Sequence, residues 1–140
     1  MVLNTTGNGN TAVGAQAMRL NTVGTWNTVV GIHALCSNLV GNFNTAVGGF
    51  ALKDNTASNN TAVGLEAMQF STTTSDNTAL GHGALRYAST GGYNTATGRL
   101  ALYCNDTGGY NTGSGYCALF TNTGSCNTSS GAYSLKLSTG

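Results

Sequence analysis

A tetrad headed by Asn-Thr returns in register eight times, at Asn10, Asn27, Asn44, Asn60, Asn77, Asn94, Asn111 and Asn127, at intervals of seventeen residues with two of sixteen. With each Asn as position 0, position 4 is Gly in every copy, from Gly14 to Gly131. Position 7 is Ala in seven copies and Ser134 in the last. Position 8 is always large and apolar: Met18, Leu35, Leu52, Met68, Leu85, Leu102, Leu119 and Leu135. A period this short cannot bury a core by itself, so units must stack, each covering its neighbour. The period predicts one all-β domain over 1–140, a β-solenoid (β-roll or β-helix) of eight repeats with one coil per repeat and 1–9 as the end of a preceding unit.

Composition narrows the alternatives. The chain has 21 glycines in 140 residues, which alone would suggest a disordered linker. Strict phase between Leu and Gly argues against that. Proline is absent, as suits a chain whose N–H groups are all needed for ladders. Only 6% of residues are charged and the net charge is +1, too little basic character for nucleic acid. No run is long and apolar enough for membrane insertion, and no signal-peptide layout is present. Met1 falls at position 8 of the register and Gly140 ends mid-unit, so neither end carries a cap. That predicts either a slice of a longer protein or head-to-tail stacking of subunits.

Within a unit, Asn-Thr-Ala-Val-Gly reads as one strand closed by a turn, and positions 6–10 as a second strand. Positions 11–16, rich in Asn, Asp and Gly, read as the connecting turn, and there the two shorter units lose their residue. Neighbours on a strand point to opposite faces. Apolar pairs at positions 2 and 3, and at 7 and 8, therefore predict one face filling the interior and another offered to a partner. The alternative is a small, solvent-facing position 2. Position 3 becomes polar along the chain, from Val13, Val30, Val47, Val63 and Leu80 to Thr97, Ser114 and Ser130, while aromatics gather at the same end.

Several columns invite a functional reading. Stacked Asn side chains are expected to form an amide-to-amide ladder up the axis, and the position 8 residues a single buried file. Trp26, Phe43, Tyr93 and Tyr110 at position 16 form an aromatic file, a candidate ligand or interface surface able to stack on a cell-surface glycan or pack on a neighbouring chain. The Thr columns raise ice binding as an alternative, although the second, at position 12, lies in the predicted turn. Cys36, Cys104, Cys117 and Cys126 lack metal spacing, and apolar filling is favoured over a Cys104–Cys117 or Cys117–Cys126 disulfide. His33 and His82 have no carboxylate near them in register, and Asp54, Glu66, Asp76 and Asp106 share no column. No catalytic residue, metal or cofactor is therefore expected. Arg19, Lys53, Arg86 and Lys136 at position 9 read as solubility and edge protection. Four N-glycosylation sequons, at Asn4, Asn59, Asn105 and Asn127, arise readily by chance in so Asn/Thr-rich a chain.

The unit Asn44-Thr-Ala-Val-Gly-x-x-Ala-Leu52, followed by Asn55-Thr, resembles the repeats of bacteriophage tail-fibre-like and bacterial surface proteins. Ala46-Val-Gly-Gly-Phe-Ala51 is similar to the shorter head repeats of trimeric autotransporter adhesins. The resemblance covers nearly all of the chain. It implies an extracellular location, at a cell surface or on a virion, and a self-associating trimer that builds a shaft or adhesive head, and it transfers no catalytic residue.

Overall fold

The computed structural model describes residues 3–138, so Met1 and Gly140 lie outside the described residues. Among these the chain is all-β, and each repeat makes one coil of a solenoid. Eight three-residue strands, β1 (Thr11–Val13), β2 (Thr28–Val30), β3 (Thr45–Val47), β4 (Thr61–Val63), β5 (Thr78–Leu80), β6 (Thr95–Thr97), β8 (Thr112–Ser114) and β10 (Thr128–Ser130), form one parallel sheet in coil order. Identical positions pair throughout, as in Thr28↔Thr45 and Val30↔Val47. A smaller parallel sheet joins β7 (Cys104–Asn105), β9 (Thr121–Asn122) and β11 (Leu137–Ser138).

The expected second strand at positions 6–10 is replaced in every coil by a run of turns; positions 10–11 of the last three coils are extended, as β7, β9 and β11, and Tyr87 at position 10 of the fifth coil bridges to Cys104. The cause is left-handed backbone at positions 6 and 8, as in His33 (φ 53°) and Leu35 (φ 46°), which cannot continue a strand. Each such residue costs of order 1–3 kcal/mol unless its surroundings fix it. Hydrogen bonds between coils supply that constraint. Leu35 donates its N–H to the Ala51 carbonyl at 2.9 Å, and His33 donates to Ala15 of the preceding coil at 2.9 Å. Position 4 is more demanding: Gly48 has φ 133°, and a Cβ there would lie 2.5 Å from the carbonyl oxygen of Gly64. Only glycine fits that column.

Left-handed backbone also changes where side chains point. Positions 7 and 8 both face inward, because the alternation of an extended strand does not hold there. Ala34 with Leu35, Ala51 with Leu52, Ala67 with Met68, and Ala101 with Leu102 are fully buried in one continuous core. Met18, Leu85 and Leu119 complete the file. Leu135 is 53% exposed, and so falls outside it: no described coil follows to cover the eighth. Position 2 is interior, with Val29, Ala46, Ala62, Ala79 and Ala96 buried, which rules out the solvent-facing alternative.

The Asn column holds register by a route the sequence did not suggest. Each position 0 side-chain oxygen accepts the backbone N–H of the next Asn: Asn27 donates to Asn10 Oδ1 at 2.9 Å, Asn94 to Asn77 at 2.9 Å and Asn127 to Asn111 at 2.9 Å. The amide nitrogen donates elsewhere, as Asn27 Nδ2 does to the Gly41 carbonyl at 2.9 Å. Direct amide-to-amide contact is secondary in this column, for instance Asn94 Nδ2 to Asn77 Oδ1 at 3.2 Å. It is the main pattern at position 11, where Asn38 Nδ2 donates to Asn21 Oδ1 at 2.8 Å and Asn122 Nδ2 to Asn105 Oδ1 at 2.7 Å. That second ladder stops at Asn38: Asn55 Nδ2 donates instead to the Ser71 carbonyl at 2.8 Å, Ser71 and Ala88 replace Asn in the next two coils, and Ala57 and Thr74 stand where Gly24, Gly41 and Gly91 stand in other coils. At Gly24 a Cβ would strike the Asn21 side chain and the Gly41 carbonyl, so glycine keeps that coil close to the next.

Two substitutions test this arrangement. Leu85→Ala should lower unfolding free energy by about 2–5 kcal/mol, measured by urea titration. Asn94→Ala leaves the buried N–H of Asn111 without its acceptor and should cost about 1–3 kcal/mol, against little change for the exposed Thr95→Ala.

Candidate self-association surface

Since position 2 points inward, positions 1 and 3 point out, and the burial of β2 and β5 alternates accordingly. The outward face therefore carries a Thr column beside a second column that is Val13, Val30, Val47, Val63 and Leu80 in the first five coils. Four of these stay exposed: Val13 by 58%, Val30 by 40%, Val63 by 39% and Leu80 by 39%. Position 5 continues the apolar surface round the corner with Ile32 and Leu65, about half exposed. Gly49 sits between them, and a Cβ there would touch both side chains at 3.4 and 3.2 Å, so its bareness lets them close over it. No ionisable residue occupies positions 1, 3 or 5 of these coils until His82. Beyond it the face is polar, with Thr97, Ser114 and Ser130 at position 3.

No protein-family model, curated protein or solved structure matches this chain. The reading of its surface thus rests on its own geometry.

The aromatic file is exposed as expected, with Trp26, Phe43, Tyr93 and Tyr110 each 57–63% accessible. Asn59 and Asp76 share the same left-handed ridge, so the file is split into two pairs. Tyr93 and Tyr110 stack with centroids 4.9 Å apart and planes at 8°, which covers one face of each ring. Hydroxyls of the position 12 Thr column are engaged within the solenoid: Thr22 donates to the Leu39 carbonyl at 2.7 Å and Thr56 to Thr72 at 3.1 Å. The described cysteines are free thiols. Burial, and then the charge of Asp106, push the Cys104 thiol above its ordinary pKa and keep it protonated. Asn105 is fully buried and donates to Gly108, which closes that sequon in the folded chain.

One expectation is overturned in the turn wall. His82 is not isolated from carboxylates: Glu66 Oε2 of the preceding coil lies 3.8 Å from its Nε2 and 3.1 Å from Arg86 Nη1. Positions 5 and 6 of adjacent coils meet across the rung, a proximity that a column-by-column reading misses. Arg86 also donates to Gln69 and Tyr103 and lies over Phe70 and Tyr87, each ring centroid at 5.4 Å. Its role is packing, with charge neutralised by Glu66. The Glu66 and Arg86 side chains are 26% and 21% exposed. Glu66→Gln should therefore change stability by only about 0–1 kcal/mol, and less in high salt, as read by urea titration at two ionic strengths.

Proposed function

We propose that this chain is a structural segment of an extracellular fibre, a shaft or adhesive head at a cell surface or on a virion, whose solenoids associate side by side. The observation that carries the reading is the uncharged outward face of the first five coils. Coils rise about 4.8 Å and residues along a strand about 3.3 Å, so that face covers on the order of 300 Å². Exposed apolar patches of this size are often contact sites. A second copy has the same coil spacing and can pack rung against rung, so identical solenoids are the natural partner. The resemblance to tail-fibre-like and trimeric adhesin repeats supports an extracellular setting and a trimer as the closed form. End-to-end growth, by pairing at the outermost strands β1 and β10, is the other form of association.

Sedimentation velocity at micromolar concentration tests the reading. The parent chain should run as a trimer or larger species, with rods or filaments in electron micrographs. Val30→Lys with Val63→Lys places charges on the shared face and should shift the protein to monomer or to thin end-to-end strands, with the circular dichroism of the parent. A monodisperse 14.1 kDa monomer from the parent chain would sink the proposal.

A further inference from the structure

Where the outward face turns polar, a second surface begins that the fibre reading does not use. Arg99, exposed at position 5 of the sixth coil, donates through Nε to His82 Nδ1 at 3.4 Å and through Nη1 to the Tyr116 hydroxyl at 3.4 Å. Its guanidinium lies over the Tyr116 ring at 5.5 Å. Tyr116 meets Tyr133 edge-on at 5.0 Å, and Lys136 Nζ lies 5.5 Å over Tyr133. A strip of cation, ring, ring and cation thus runs along the last coils. Both cations differ from Arg86 in one respect: among the described residues no carboxylate stands within salt-bridge reach of either. Beside the strip, Thr95, Thr97, Thr112 and Ser114 turn exposed hydroxyls outward from β6 and β8.

We infer that this strip is a binding surface for an acidic polysaccharide, with the two cations taking carboxylates and the hydroxyls and tyrosines taking the sugar. A guanidinium that no carboxylate touches keeps an outer N–H edge for one, a pairing stronger than a neutral hydrogen bond. The ring beneath it holds the group in place. Coil-to-coil rise is close to the length of one sugar ring, so a linear polymer along the axis meets equivalent hydroxyls at each coil. An open strip suits an extended chain better than a small molecule, which would need an enclosing site. The inference rests on the strip's own charges and rings, and its test is separate from the test of side-by-side packing.

The test is titration calorimetry with oligogalacturonate, neutral galacto-oligosaccharide of matched length, and a poly-glutamate peptide. Oligogalacturonate should bind, and either Arg99→Gln or Lys136→Gln should weaken it about tenfold. Arg19→Gln, an exposed cation on the first coil, should leave it unchanged. Circular dichroism and sedimentation should match the parent for all three variants, which separates loss of the strip from loss of the fold or of association. Absence of binding by the parent, equal binding of the neutral sugar, or parent-like affinity in both variants overturns the inference. Equal binding of poly-glutamate overturns the saccharide class, leaving an acidic peptide as the partner.

Discussion

The solenoid depends on one recurring hydrogen bond, from the backbone N–H of each position 0 Asn to the side-chain oxygen of the Asn one coil earlier. Asn suits the site because its short amide offers an acceptor to the next coil and a donor to a neighbouring carbonyl. Asp would lack the donor and would stack like charges in a buried column. A longer side chain would change the spacing. With this bond fixed, each coil can sit only in one register on the next, and every other column follows.

Register in turn makes the left-handed residues tolerable. Positions 6, 8 and 16 take positive φ, among them bulky residues such as Phe50 (φ 60°), Leu52 (φ 51°) and Tyr110 (φ 59°). Alone, each would relax toward an ordinary conformation. Here each gives its N–H to an adjacent coil, Phe50 to Ile32 at 2.9 Å and Tyr110 to Gly92 at 3.0 Å, so local strain is offset by ordered stacking. The same geometry turns two consecutive side chains inward and lets a narrow coil be filled by Ala and Leu.

A fold in which every column has a fixed address can vary its surface without disturbing its core. The outward column changes from Val to Thr and Ser midway, while position 2 stays buried from Val29 to Gly113 and Ser129. At positions 1, 3 and 5 the first four coils are free of ionisable residues, whereas the later ones carry His82, Arg99 and Tyr116.

The repeat itself determined the coil count, the parallel in-register sheet and the buried file at position 8, because side chains recurring at a fixed interval can be satisfied together only by stacking. It also marked position 3 as the column whose chemistry changes. Tertiary structure alone decided the rest. Positions 7 and 8 share one side because of backbone left-handedness that Ala-Leu does not announce. The second Asn ladder at position 11 lies in a stretch that reads as a turn, since Asn favours turns as readily as buried ladders. Glu66 meets His82 and Arg86, and Arg99 meets Tyr116, because side chains from different columns converge across the rung. Periodicity specifies which residues stack on their own kind; the direction in which each side chain leaves the coil, and hence which columns touch, follows from backbone angles that only the folded chain fixes.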